Sequence, residues 1–456
     1  MDASYAFARN IANIKFEHIP ESVVKIAKRD VLDTLGTTLA ATTLGTGCKE
    51  VVDLVKEGAG KRESTIVGFG GRVPSWMAAL ANGTLAYALD YDDAHPTGQI
   101  HSGATNVSAA FATAERVGNV NGKAFLTALV VGIDLGARMS VASFPRARGF
   151  HPTTLYGFFG ATATASRILG LSEEKVQHAL GIAYSQASGH MQGHSEASAT
   201  KKVQAGFAAK GGVLAALMAQ KGVTGALNSL EGEYGFYNVY HAGRKYDSAG
   251  LVADLGKRFE VSNLCFKPYP SGRGTHASID STLEIMREHG LQAKDIESIT
   301  VYKSPIAVKI EGGEDKRKPK NALDAQLNII YTVATAAVKG RVGLQDFTPE
   351  AIKDPDVLKM AQKVYVKEFP EFGPNNFHPG ITEVKTKAGD TYSKRVEEPS
   401  GGPENPMSTE QFINKFTECA SYSVKPLSRI KLKKVIDLAM NLEQVEDVGA
   451  VIRLLA

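Results

Sequence analysis

Three carboxylates and two imidazoles crowd into the segment Asp90-Tyr-Asp-Asp-Ala-His-Pro-Thr-Gly-Gln-Ile-His101, directly after an apolar run from Met77 to Leu89. A buried helix that ends in such a segment can present charged groups to a ligand without desolvating them fully. Three further segments carry groups of similar kind. They are Gly149-Phe-His-Pro-Thr153, Ala199-Thr-Lys-Lys202 and Phe266-Lys-Pro-Tyr-Pro-Ser-Gly-Arg-Gly-Thr-His276. Together they offer cations, imidazoles and a few carboxylates. That mixture suits a small substrate with several carboxylates, because Lys and Arg neutralise its charge and Arg can grip a carboxylate at two oxygens. It also suits removal of a proton α to a carboxylate. A His or Lys of tuned pKa takes the proton, and positive charge or hydrogen-bond donors hold the carbanion. Dehydration, epimerisation and decarboxylation can all use such a set with neither metal nor redox cofactor.

The elements that position these groups can be read from hydrophobic spacing. Residues 1–265 read as mostly helical, with helices expected over Ser22 to Ala41, Trp76 to Leu89 and Gly122 to Val141. The last is almost wholly apolar but carries Asp134 and Arg138 four residues apart, which reads as a structural pair. Ser172 is expected to cap a helix that has Glu173 and Glu174 in its first turn. The Gly/Ala-rich stretch Gly157 to Ala165 reads as the centre of a packed bundle. Gly68-Phe-Gly-Gly71 lacks dinucleotide spacing and reads as a turn. Near Lys267 the pattern changes. Ser298 to Tyr302 alternates like a strand, and Ile381–Lys387 with Thr391–Val396 reads as a hairpin turning at Gly389. Helices are expected over Thr275 to Glu288 and Leu323 to Val338. The Pro/Gly-rich stretch 398–406 is punctuation, and Ser408-Thr-Glu-Gln411 is a capping box that opens a helical return. The expected fold is mainly α: a large helical-bundle domain of residues 1–265 and 407–456, with an inserted α+β lid domain over 266–397.

Composition bounds the function. With 52 Lys+Arg against 48 Asp+Glu the net charge is +4, too small for a nucleic-acid footprint. Cys48, Cys265 and Cys419 lie far apart, with no metal-ligand or disulfide spacing, so a reducing, cytoplasmic setting is expected. Residues 1–12 lack a signal-peptide core. No apolar run is expected to reach the roughly 20 residues needed to span a bilayer, so no membrane association is expected.

The segments also carry a resemblance. Leu89-Asp-Tyr-Asp-Asp93 with His101-Ser-Gly103, Phe150-His-Pro152, Thr200-Lys201 with Ala208-Ala-Lys210, and Lys267-Pro-Tyr-Pro270 with Arg273 and Thr275-His276 resemble, in order, the signatures of the MmgE/PrpD family. Ala325 to Tyr331 is similar to a family helix with a pocket-facing tyrosine. Members dehydrate 2-methylcitrate, decarboxylate cis-aconitate or epimerise iminodisuccinate. The resemblance implies active-site positions at Asp90, His101, His151, Lys201, Lys267 and Tyr331 and a homodimer through the helical domain; by their chemistry Lys201 and Arg273 are candidate substrate contacts, His276 is a structural residue or a carboxylate contact, and no cofactor is expected. Among these positions, side-chain chemistry favours His151 and Lys267 for proton transfer and Tyr331 as a donor, with Asp90 orienting a base or a substrate hydroxyl. Ala94 stands where the decarboxylases often have Thr, and Gly272 where they have a catalytic His. Both departures count against the decarboxylase, while His95 and Thr97 in the spacer are candidate substrate donors. The expected activity is dehydration of a 2-methylcitrate-like hydroxy acid. Epimerisation and decarboxylation are the alternatives. Two other classes stay open: a metal hydrolase with Asp90, Asp93, His95 and His101 as ligands, and a non-catalytic ligand-binding protein.

Overall fold

The computed structural model describes residues 1–144, 149–374 and 376–456. The chain divides into two compact units. One comprises Met1–Ala88, Asp92–Cys265 and Thr409–Ala456; the other comprises Leu89–Tyr91 and Phe266–Ser408.

The first unit is a helical bundle. Its centre is built from helices Ser75–Ala86, Ser102–Val117, Gly122–Ala142, Pro152–Ile168 and Thr200–Gln220, which pack on one another. Small residues permit the close approach: a Cβ on Gly206 would sit 2.3 Å from Thr84 Oγ1, and one on Gly132 would sit 1.9 Å from Thr164 Oγ1. Helix Gly122–Ala142 corrects one expectation. At 21 residues it is long and apolar enough to cross a membrane, yet 89% of its most apolar window is buried inside the protein. The Asp134–Arg138 pair explains how its charges are tolerated. Arg138 Nε donates to Asp134 Oδ2 at 2.7 Å, and its other nitrogens donate to the carbonyls of Ala253 and Arg258. Asp134 also accepts from the Glu260 amide at 2.7 Å. Burial nevertheless raises the Asp134 pKa to about 6, against the pull of Arg138.

Ser172 caps helix Glu173–Tyr184 by accepting from the Lys175 amide. Gly68, Gly70 and Gly71 all take positive φ in the turn between β1 (Ser64–Thr65) and β2 (Arg72–Val73), a backbone that suits glycine. The return segment is helical from Thr409, and helix Thr409–Ser421 packs on helix Glu21–Leu44.

The second unit carries a four-stranded sheet of order β4-β3-β5-β6, with β3 Ile296–Lys303, β4 Val364–Glu368, β5 Gly380–Thr386 and β6 Thr391–Val396. β3 runs parallel to β4 and antiparallel to β5, and β5–β6 is the expected hairpin, with Gly389 at φ 101° in its turn. Helix His276–Glu288 covers β5 and β6 and packs on helix Ile329–Lys339. The single helix expected from Leu323 to Val338 is two, because Asn328 leaves the helical backbone and caps the second helix by accepting from the Tyr331 amide.

Candidate active site

In the helical unit the turn after helix Ser75–Ala86 delivers Tyr87, only 2% exposed, to a point where three other helices begin. His101 is the residue before helix Ser102–Val117, and His151 the residue before helix Pro152–Ile168. Pro152 suits the first helical position, where no amide donor is needed. Lys201 lies in the first turn of helix Thr200–Gln220. All three meet Tyr87. Its hydroxyl hydrogen-bonds His151 Nε2 at 3.1 Å, its ring meets His101 edge-on at 5.1 Å, and Lys201 Nζ stands 4.7 Å from its ring centre. His151 Nδ1 is 2.7 Å from Thr154 Oγ1, so both nitrogens of this buried imidazole are engaged. Helix N-termini carry partial positive charge and unsatisfied amides. The first amides of helix Thr200–Gln220 bond to the carbonyls of Ser198 and Ala199, so the groups suited to an anion here are Lys201 and the N-terminus of helix Pro152–Ile168.

Behind His101 lies a set of buried carboxylates. His101 Nδ1 is 3.3 Å from Asp92 Oδ2, with Asp92 wholly buried. Asp93 accepts from the Ser102 and Gly103 amides, each at 2.9 Å, and so caps the helix that His101 precedes. Asp30 and Asp33 come from helix Glu21–Leu44, and Lys415 pairs with Asp33 at 2.6 Å. Burial first, then the neighbouring carboxylates Asp93, Asp33 and Asp92, raises Asp30 well above the ordinary aspartate value. Asp93 is raised in the same way by burial and by Asp92, despite its two amide donors.

The spacer residues do other work. His95 Nδ1 accepts from the Gly98 amide at 2.9 Å, and its Nε2 faces Glu260 at 3.2 Å. This ring braces its own loop. Burial would raise Glu260, but His95, Asn263 and Arg258 outweigh it and hold the carboxyl at about 2. Thr97 is exposed.

In the inserted unit Lys267 is 1% exposed. Its ammonium donates to the Asp90 carbonyl at 2.9 Å and lies 3.5 Å from the Asp90 carboxylate. Asp90 takes φ 52°, a left-handed backbone unusual for a side chain other than glycine. Arg273 donates to the carbonyls of Ser400 at 2.5 Å and Pro399 at 2.7 Å, and to His276 Nδ1 at 3.2 Å. His276 Nε2 then faces the Ser271 carbonyl at 3.3 Å. Tyr331 is not gathered with these groups. It sits in the unit's apolar core, and its hydroxyl donates to the carbonyls of Asp346 at 2.5 Å and Ala351 at 3.3 Å.

The structure thus brings His101, His151 and Lys201 together in one unit, and Asp90 with Lys267 in the other. Sequence reasoning missed Tyr87, Asp30, Asp33 and Lys415. Among the described residues, no group of three or more His, Cys, Asp or Glu side chains is arranged to hold a metal ion. His95 and Asp93, two ligands of the metal-hydrolase alternative, are turned to Glu260 and to helix amides instead.

Comparison with known proteins gives consistent matches. The MmgE/PrpD N-terminal domain model matches residues 5–249, and the MmgE/PrpD C-terminal domain model matches residues 269–440. The cis-aconitate decarboxylase-like protein oryM of Aspergillus oryzae is 28% identical, over 98% of this chain and 95% of its own. The cis-aconitate decarboxylase of Homo sapiens is 29% identical, over 99% and 94%. A probable 2-methylcitrate dehydratase of Saccharomyces cerevisiae is 25% identical, over 74% of this chain and 68% of its own.

Proposed function

The chain belongs to the MmgE/PrpD family and is an enzyme of that family's lyase or isomerase type, and from that premise we propose that it dehydrates a 2-methylcitrate-like hydroxy acid without a cofactor. The observation that carries the reading is the gathering of His101, His151 and Lys201 around Tyr87. The His151–Tyr87 pair takes the proton α to a carboxylate. Lys201 and the positive N-terminal end of helix Pro152–Ile168 carry the negative charge that develops, a task best done by groups fixed in advance. His101, steadied by Asp92, gives a proton to the departing hydroxide, which leaves as water. The donor role once expected of Tyr331 passes to this pair, since the Tyr331 hydroxyl is directed at backbone carbonyls. In the inserted unit Lys267, held by Asp90, is assigned a proton-transfer role, with Arg273 and His276 as carboxylate contacts.

Decarboxylation of a cis-aconitate-like substrate is the second reading, favoured by the names of several relatives. Two features weigh against it: the methyl of Ala94, and Gly272, where a Cβ would lie 2.6 Å from Glu311 Oε1. The test is incubation with a panel of di- and tricarboxylates in deuterated water, followed by proton NMR. Loss of water with deuterium exchange supports dehydration. Loss of carbon dioxide, or inversion without elimination, replaces it with one of the alternatives. The reading includes a homodimer through the helical unit, consistent with exposed Phe207 and Met218 on helix Thr200–Gln220. Light scattering at micromolar concentration should give twice the chain mass; a monomer removes that part.

A further inference from the structure

The inserted unit holds a second pair of buried ionisable groups that the proposed chemistry does not use. Lys303 ends β3 and is wholly buried, its ammonium donating to the carbonyls of Phe377 at 3.0 Å and His378 at 3.3 Å. Glu311 ends helix Pro305–Glu311 and is 5% exposed, and its Oε2 has no hydrogen-bond partner. The carboxyl lies against bare backbone. A Cβ on Gly274 would stand 2.2 Å from Oε2, and one on Gly272 would stand 2.6 Å from Oε1. Two glycines in the signature segment therefore leave room for this carboxyl.

The charges that act on Glu311 are, in order of strength, Lys303, Lys316, Asp90 and Lys267, so it shares a field with the Asp90–Lys267 pair. Lys303 in turn feels Glu311 and Arg273. We propose that Glu311, with Lys303, is a specificity-determining pair that sets how much negative charge a ligand of the Lys267–Asp90 site may carry. The inference rests on the polycarboxylate reading above. When Glu311 holds its proton, the cations Lys303 and Lys267 face one carboxylate fewer, and a tricarboxylate gains over a dicarboxylate. When Glu311 ionises, the preference falls. Burial raises the Glu311 pKa to about 7, with Lys303 opposing, and burial lowers Lys303 to about 7, with Glu311 opposing. As pH rises through 7 the pair loses positive charge whichever member titrates first. His378 does not compete for the proton, because burial, Arg273 and Lys303 push it down to about 4. Glu311 acts through Lys267 and is a positioning residue.

The test compares citrate and succinate binding to the full chain by calorimetry from pH 6 to 8, in wild type, E311Q and E311D. Titration of the ligands themselves is common to all three proteins, so differences between proteins isolate Glu311. The wild type should lose citrate-over-succinate preference by about tenfold relative to E311Q across this range, the size of one partly screened charge. E311D should restore the pH dependence, and near-UV circular dichroism checks the fold of each variant. Identical pH dependence in wild type and E311Q overturns the proposal. If citrate binds none of them, the polycarboxylate reading fails, and carbon-13 NMR of labelled glutamate carboxyls decides Glu311 separately. A carboxyl titrating near pH 7 that E311Q removes sustains the titrating pair; its absence overturns it.

Discussion

Replacing Tyr87 with Phe removes one oxygen from the centre of the candidate site and little else. The ring stays, so its edge contact with His101 at 5.1 Å and the Lys201 ammonium at 4.7 Å are kept. What is lost is the 3.1 Å hydrogen bond between the Tyr87 hydroxyl and Nε2 of His151, an imidazole only 3% exposed. A buried polar group left unsatisfied costs about 1–3 kcal/mol. At about 1.4 kcal/mol per factor of ten, kcat/KM for deuterium exchange should fall about 5- to 150-fold. The thermal midpoint should fall by no more than about 5 °C. Tyr87→Leu also removes the ring over which Lys201 sits, a contact worth about 0.5–2 kcal/mol, so it should weaken carboxylate binding as well as turnover. The assay is single-turnover exchange in deuterated water, with binding measured separately. Unchanged exchange in Tyr87→Phe would show that the Tyr87–His151 contact has no part in the chemistry.

Other outcomes follow from the same geometry. Asp30 has a folded-state pKa raised by burial and by Asp93, Asp33 and Asp92. A raised carboxyl contributes stability that is full below the ordinary value near 4 and is lost as pH rises through the folded value. Asp30→Asn should therefore raise the thermal midpoint more at pH 8 than at pH 5; the opposite trend would mean that Asp30 is held by cations. Arg138→Met breaks a buried pair and leaves Asp134 in the core without its cation, so that it must take up a proton, which should destabilise the chain by about 3–5 kcal/mol in urea unfolding. His95→Asn should cost stability through Glu260 and Gly98, while exchange per folded molecule stays within about twofold, since loss of an acid–base catalyst costs 10²–10⁴. A larger loss of exchange returns His95 to the candidate site.

Much of the architecture was legible because it rests on local pattern. The apolar periods locate the central helices, and Ser172 and Gly389 mark a cap and a turn by their own chemistry. Helix ends were harder. The run expected to reach Leu89 stops as helix at Ala86, and the turn that follows aims Tyr87, which reads in sequence as one more core aromatic. Its place three residues before Asp90 was the available signal. Asp30 and Asp33 were missed because they sit inside an amphipathic helix, where acids read as a solvated face. They lie three residues apart among Ala27, Val31 and Leu32, on a side the fold buries, and that spacing could have exposed them. Glu311 reads as the start of the charged stretch through Asp315, and only tertiary packing sets it against Gly272 and Gly274. Tyr331 shows the reverse limit: a motif position says where a residue falls in sequence, and the fold decides what its hydroxyl meets.

The most direct test of the account is deuterium exchange at the substrate α-carbon in His151→Gln. Gln keeps a polar group near Tyr87 and Thr154 but cannot act as a base at neutral pH. A loss of about 10²–10⁴-fold in exchange is expected, with binding of the carboxylate nearly intact because Lys201 remains. Exchange at the wild-type rate in a folded His151→Gln protein would contradict it.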